Sequence, residues 1–153
     1  MQDSDYQRPP TLYLYDERAV LERALTLGEF RLAASSTFLT LCFSQAWNPK
    51  SFDAVSIDPG CLVIHDTELF GERLHRAVQR LLPSWAGIDV ALTYGGRSPL
   101  GAAFTRGPAK GVDASWQFAW RPTQPMLAVR PLVVQIGSIE AFAELRDKNA
   151  YTS

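Results

Sequence analysis

The chain has 153 residues, of which 46% are hydrophobic and 20% are charged, and its formal net charge is −1. This length and composition are typical of one globular domain and argue against a disordered chain. The 15 basic and 16 acidic residues leave no obvious basic face. Non-specific nucleic-acid binding is therefore not expected.

The N-terminal segment and the cysteine count bound the location of the protein. We expect a flexible lead over residues 1–10, one globular domain over residues 11–148 and a tail over residues 149–153. The lead lacks the apolar region of a signal peptide, and no apolar run approaches the ~20 residues that cross a bilayer. Cys42 and Cys61 are too few for a disulfide scaffold. We predict two reduced thiols in a cytoplasmic protein without membrane association.

The first predicted elements are a strand, a helix and a second strand. Residues 11–15 read TLYLY, and the alternation sends the leucines to one face of a strand and the tyrosines to the other. Asp16 is the predicted N-cap of a helix over residues 17–27, which Gly28 ends. A short strand over residues 29–33 follows. The predicted buried face of the helix consists of Val20, Ala24 and Leu27.

The middle of the chain carries the clearest periodicities. Residues 38–44 (FLTLCFS) alternate as a strand, and residues 61–65 (CLVIH) form another. Residues 67–82 have the apolar stripe of a helix with one buried face. A strand over residues 88–94 follows, and its predicted inward residues are Ile88, Val90 and Leu92.

The last third is predicted to be mostly strands. Residues 95–100 are a predicted loop, and residues 101–106 a predicted strand. Residues 115–120 (SWQFAW) place three aromatic side chains on one face of a strand, and residues 132–136 form the next strand. Ser138 is expected to cap a final helix that ends near residue 148.

These elements predict the fold class and one core. Strands outnumber helices and do not alternate with them regularly, which favours an α+β fold with a mixed, largely antiparallel sheet and two to three packed helices. The predicted members of the shared core are Leu39, Leu41, Phe43, Phe70, Leu74, Val78, Ile88, Val90, Leu92 and Val134.

Several chemistries find little support in the residue patterns. Cys61 and His65 would lie ~13 Å apart along a strand, too far apart to share one zinc ion, and the chain has no C-x-x-C pair. The G-R-S-P sequence at residues 96–99 does not match the G-x-S-x-G elbow of hydrolases. The Gly-Gly-Arg stretch at residues 95–97 could cradle an anion but lacks the known phosphate-loop patterns, so we expect a loop between strands. A hydrolase or a metalloenzyme remains a third alternative.

A series of short motifs runs in order along residues 11–137. It comprises LYLY at residues 12–15, a small-polar stretch at residues 31–38, CFS at residues 42–44, LTY at residues 92–94, and Lys110 followed by SWQFAWR at residues 115–121. This order resembles an uncharacterised family of bacterial and phage proteins with an ADP-ribosyltransferase-like fold. The family patterns read roughly L-Y-R-Y, C-F-S, V-x-Y and E-x-E-x-R.

The resemblance implies an NAD cleft and also a loss of catalytic residues. Transferases of this fold hold NAD with an Arg or His on the first strand and polarise the ribose with a Glu on a late strand. Here Leu14 stands at the Arg position, and the late acidic position falls on Ser115 or Ala119, with Gln117 between them. Asp113 is the only nearby carboxylate. The resemblance therefore implies no catalytic residue, and we also expect no metal site.

The sequence predicts a non-catalytic module that binds another protein and needs no cofactor, such as an inhibitor, an immunity factor or a phage counter-defence protein. The alternative is an active NAD-dependent ADP-ribosyltransferase-like enzyme that uses Asp113 or Gln117. A remaining cofactor cleft would lie between the first strand and the aromatic strand. Its predicted lining is Tyr13, Tyr15, Ser44 and Gln117.

Overall fold

The computed structural model describes residues 7–35, 37–94, 105–106, 114–124 and 129–149, with only the backbone of residues 93–94 and 105–106. This part of the chain is an α+β fold with an open antiparallel sheet of eight strands. The strands are β1 (Leu12–Glu17), β2 (Glu29–Ser35), β3 (Phe38–Ser44), β4 (Pro59–Ile64), β5 (Trp85–Ala91), β6 (Thr93–Tyr94), β7 (Thr105–Arg106), β8 (Ser115–Pro122), β9 (Leu132–Gln135) and β10 (Ala143–Arg146).

Strand β3 is the point at which the sheet branches. One edge of β3 pairs with β8, which in turn pairs with β5. On the other edge, the beginning of β3 pairs with β2, which leads to β9, and its last residue, Ser44, pairs with Tyr13 of β1. Beyond β1 lie β4 and β10. The short strands β6 and β7 form a separate parallel pair.

Helix α1 (Arg18–Leu27) follows β1 without a loop. Its end was predicted correctly: Gly28 has φ +65°, and a Cβ there would lie 2.1 Å from the Gly137 carbonyl oxygen. Its start was predicted wrongly, and of the predicted buried face only Ala24 is confirmed. Asp16 belongs to β1, so Glu17 is the N-cap residue, without a side-chain cap.

The buried residues of α1 are Leu21 and Ala24, whereas Val20 and Leu27 are 45% and 40% exposed. The rotation of α1 is set by packing against β4, which the spacing of its own apolar residues did not reveal.

Helix α2 (Thr67–Leu81) confirms the predicted helix and most of its buried stripe, but Leu81, the last predicted member of the stripe, is 53% exposed. The Asp66 side chain accepts a hydrogen bond from the Leu69 backbone N–H, which caps the first turn. Phe70, Leu74 and Val78 are fully buried against the sheet. A 3₁₀ helix (Pro49–Ala54) lies on the other side of the sheet and buries Phe52.

The predicted C-terminal helix was wrong. The segment forms turns and then β10, which pairs antiparallel with β4 from Ala143↔Ile64 to Arg146↔Cys61. Ile139 and Ala143 are both buried, so their helical spacing was a misleading signal. The pairing of β10 with β4 outweighed the local preference, and the Ser138 hydroxyl accepts the Glu140 backbone N–H within a turn instead of a helix.

The main core lies between the sheet and the two α-helices, and β5 does not join it as predicted. Leu39, Leu41, Phe43, Phe70, Leu74, Val78 and Val134 share this core, together with the aromatic face of β8, Trp116, Phe118 and Trp120. Val90 and Leu92 instead pack with Ala119 on the opposite side of the sheet, and Ile88 is 37% exposed. The reason is Asp89, whose side chain turns toward α2 and forces its neighbours to the other face.

Several further expectations concern single groups. Cys42 and Cys61 both carry free thiols, as predicted. None of the described helices combines the length and the apolar character needed to cross a membrane. The predicted loop at residues 95–100, Lys110, Asp113 and the predicted strand at residues 101–106, apart from β7, lie outside the described residues.

We predict that Leu74→Ala lowers the free energy of unfolding by about 2–5 kcal/mol, because it leaves a cavity under a fully buried position of α2. Leu81→Ala is the matched control on the same helix, since Leu81 is 53% exposed, and we expect a change within about 0.5 kcal/mol. Urea unfolding followed by circular dichroism measures both. Equal losses for the two variants would contradict the assigned orientation of α2.

Candidate functional site

All four residues predicted to line a cofactor cleft lie on one face of the sheet. Tyr13 pairs with Ser44 across β1 and β3, and Ser44 pairs with Ser115 of β8. Gln117 pairs with Cys42, two residues before Ser44 on β3. Strand alternation therefore sends Tyr13, Ser44 and Gln117 to the side opposite the α-helices. Their role in cofactor binding stays a prediction.

The fourth residue, Tyr15, lies on the same face and holds a loop. Its hydroxyl donates to the Ala46 carbonyl oxygen at 3.0 Å and accepts the Asn48 backbone N–H at 2.8 Å. The Ser44 hydroxyl also donates to the Ala46 carbonyl oxygen at 3.0 Å. These hydrogen bonds fix the loop that carries Trp47 against the tyrosine rings. Gln117 is only 5% exposed, which leaves little of it accessible to a ligand.

The two positions that the resemblance assigns to catalysis face opposite sides of the sheet. Leu14 packs against the main core under the helices. Gln117 belongs to the other face, together with Ser115 and Ala119 at the same strand parity. An arginine at position 14 would enter the hydrophobic core and could not meet a group at position 117.

The most developed polar cluster surrounds Asp89 of β5, whose side chain is 6% exposed. Arg8 binds both carboxylate oxygens, with Nε at 2.7 Å from Oδ2 and Nη2 at 3.0 Å from Oδ1. Trp116 donates its indole N–H to Oδ2 at 2.8 Å. His75 of α2 places Nε2 at 2.7 Å from Oδ1. Helix α2, strand β8 and the N-terminal segment therefore converge on one carboxylate of β5.

The hydrogen bonds assign the tautomer of His75. Trp120 donates its indole N–H to His75 Nδ1 at 3.0 Å, so this nitrogen is an acceptor and carries no hydrogen. The hydrogen is then on Nε2, which donates it to Asp89. Both ring nitrogens are engaged, so His75 has no nitrogen left for a substrate proton. This differs from a catalytic triad, in which the second nitrogen faces the nucleophile.

Two glycines make room for this cluster. A Cβ on Gly71 of α2 would lie 2.5 Å from Cζ of Arg8, so only glycine lets the guanidinium lie against the helix. A Cβ on Gly87 of β5 would lie 2.3 Å from the Trp120 ring. Arg8 belongs to the segment predicted as a flexible lead, and the next residue, Pro9, accepts a hydrogen bond from the Thr67 hydroxyl.

The electrostatics of Asp89 follow from its partners. Burial alone would raise its pKa, but the hydrogen bonds from His75, Arg8 and Trp116 outweigh burial and hold the pKa well below the usual range of an aspartate. Arg8 also reaches Glu68 at 2.8 Å on the surface. A surface groove of about 780 Å³ lies beside the cluster. It is lined by Arg8, Glu68, His75 and the exposed side of α2.

A second carboxylate lies near the predicted cleft. Glu144 of β10 stands opposite Val63, and Val63 stands opposite Tyr13, so all three share one sheet face. Arg146 and His65 both reach Glu144 Oε2 at 2.6 Å, and the hydrogen bond from Arg146 lowers the pKa of Glu144 to about 2. Glu144 was missed because the sequence placed it on a helix.

The described residues hold no cluster of three or more side chains suited to a metal ion.

The sequence analysis also missed Asp89, although its isolated charge within the apolar strand WAGIDVA was a usable signal. Its partners Arg8 and Trp116 are 81 and 27 residues away along the chain.

Comparison of the chain with protein-family models, with curated proteins and with solved structures finds no match.

We predict that Asp89→Asn lowers the free energy of unfolding by about 3 kcal/mol at neutral pH, because it leaves the part-buried Arg8 with only the exposed Glu68 as a charge partner. Glu72→Gln is the control, since its ion pair with Arg76 is exposed, and we expect a loss below about 0.5 kcal/mol.

The Asp89 contribution should also depend on pH. The folded pKa is depressed, so the stabilisation is complete above the unfolded carboxyl value of about 3.9 and is lost as the pH falls toward the folded value. The stability difference between the wild type and Asp89→Asn should therefore shrink below pH of about 4. Chemical unfolding over a pH series measures it, and a constant difference would contradict the assignment.

Proposed function

We propose that this chain is a non-catalytic protein-interaction module on a scaffold that resembles the ADP-ribosyltransferases, of the inhibitor, immunity or phage counter-defence type. It acts by contact with another protein and needs no cofactor. The alternative is an NAD-dependent transferase that works from the Tyr13 face of the sheet.

The observation that carries the proposal is the orientation of the two matched catalytic positions. Leu14 points into the helix-side core, and Ser115, Gln117 and Ala119 point to the opposite face. One NAD molecule cannot touch both through the sheet. All four positions are also uncharged, so none can stabilise the positive charge that develops as nicotinamide leaves.

Three further described groups with catalytic potential are committed to internal contacts. Asp89 uses both oxygens, and His75 uses both nitrogens. Cys61 is fully buried, and burial raises the pKa of its thiol to about 12, so it carries no thiolate at neutral pH. These are structural uses of residue types that enzymes employ for chemistry, which favours a function based on surface recognition.

One observation identifies the residue on which the enzymatic alternative would depend. Glu144 is a partly exposed carboxylate on the same face as Tyr13. Its ion pair with Arg146 and its hydrogen bond with His65 supply a structural reason for its position. An active enzyme on this face would use Glu144, which lies in the same cross-strand row as Tyr13.

We predict that the protein neither hydrolyses NAD nor transfers label from NAD to itself or to added protein, because the charge-stabilising pair is missing. Mass spectrometry after incubation with NAD measures modification, and nicotinamide release measures hydrolysis. Nicotinamide release that Glu144→Gln abolishes, while Glu72→Gln on the far side of the molecule leaves it unchanged, would overturn the proposal in favour of the transferase.

A further inference from the structure

Arg8 lies in a pocket that fits the shape and the charge of a guanidinium group. Its Nε and Nη2 donate to the two oxygens of Asp89 at 2.7 and 3.0 Å, and its Nη1 donates to Glu68 at 2.8 Å. The group lies against helix α2 at Gly71, where a Cβ would come within 2.5 Å of Cζ. A lysine ammonium cannot form this fork of two parallel hydrogen bonds. The pocket therefore selects arginine over lysine.

The Asp89 carboxylate is held in place by groups other than Arg8. Trp116 donates its indole N–H to Oδ2 at 2.8 Å, and His75 Nε2 lies 2.7 Å from Oδ1. These contacts orient both oxygens whether or not Arg8 is present. A ligand that replaces Arg8 therefore meets a preorganised carboxylate and does not have to order it.

The segment that carries Arg8 lies on the surface of the domain. Residues 7–11 form neither a helix nor a strand, and Gln7 and Pro10 are exposed. The Arg8 side chain itself is 19% exposed. It thus reaches Asp89 from the surface, at the end of a flexible four-bond stem. An arginine of another chain can enter the pocket by the same path.

The groove of about 780 Å³ beside the pocket has a charge that complements an arginine-bearing segment. Its described lining has three carboxylates and, besides Arg8, one arginine; these residues are Asp66, Glu68, Glu72 and Arg76. If Arg8 leaves, the buried charge of Asp89 also loses its cationic partner, which is strongly unfavourable. A guanidinium from a second protein supplies the missing charge.

We propose that this pocket is a recognition site for an arginine side chain, occupied in cis by Arg8, and that an arginine of a partner protein takes the place of Arg8. The existence of a partner rests on the proposed function, whereas guanidinium recognition does not. Arg8 competes at the millimolar effective concentration of a tethered group. A partner must therefore add contacts along the groove, so Arg8 restricts the site to partners that also fit the groove.

Propylguanidinium is the probe for the emptied pocket. Arg8→Ala should lower the melting temperature, and propylguanidinium at ten times its Kd should raise that of the variant by about 3 °C. Propylammonium should have no such effect. Arg23→Ala is the matched control, because Arg23 also forms two hydrogen bonds with one carboxylate, Glu29, but its side chain is 58% exposed. Equal gains for the two variants, or equal effects of the two ligands, would overturn the proposal.

Exchange is tested on the unmodified chain, which needs no variant to fold. The probe is the peptide QRPPT, the sequence of residues 7–11, and the matched control is QKPPT. In nuclear magnetic resonance spectra of the isotope-labelled protein, unlabelled QRPPT should move the Arg8 Nε–H signal toward that of a free arginine, and QKPPT should leave it in place. An Arg8 signal that does not respond to QRPPT would contradict exchange.

Calorimetry with QRPPT locates its binding site. Arg8→Ala should bind the peptide about tenfold more tightly than the wild type, because the tethered competitor is gone. Equal affinity for the two proteins would place the peptide elsewhere and would sink the proposal. Neither peptide measurement involves NAD, so a failure here is distinguishable from a failure of the non-catalytic assignment.

Discussion

The packing of the N-terminal segment, α2, β5 and β8 depends most on the contacts of the Asp89 carboxylate. A charge that is 6% exposed must be compensated where it lies, because transfer of an ion from water to a protein interior costs several kcal/mol. The compensation draws Arg8, His75 and Trp116 to one point and so joins the N-terminal segment, α2 and β8 to β5. Gly71 and Gly87 follow from the same constraint, since a side chain at either position would occupy the space of the cluster.

The constraint also explains why β5 was assigned the wrong face. Alternation along a strand defines two faces, but it does not say which one meets the core. The apolar residues Ile88 and Val90 argued for one orientation, and the contacts of Asp89 imposed the other. Arg8, whose contact with Asp89 fixes this orientation, lies 81 positions away from Asp89 along the chain. The local pattern of β5 therefore gives no indication of it. The orientation of β5 was therefore a property of the tertiary structure.

Elements whose signal is local were predicted well, and elements that depend on distant pairing were not. Helix α2 carries its cap, its stripe and its end within 16 residues of sequence, Asp66 to Leu81, and β3 and β8 alternate over their whole length. The C-terminal segment has the apolar spacing of a helix, but it forms β10 because its backbone pairs with the edge of β4. At the candidate site, alternation alone brought Tyr13, Ser44 and Gln117 to one face. The use of the Tyr15 hydroxyl to hold residues 45–48 depended on a loop path that periodicity does not describe.

The contacts of Asp89 in the interior also determine which side chains of β5 are exposed to solvent. Asp89 turns inward to meet its partners, so the outer face and edge of β5 are left with Ala86, Gly87 and Ile88 and no charge. The cluster that makes His75 and Asp89 unavailable for chemistry thus also leaves the exposed residues Ala86, Gly87 and Ile88 of β5 without a charge among them.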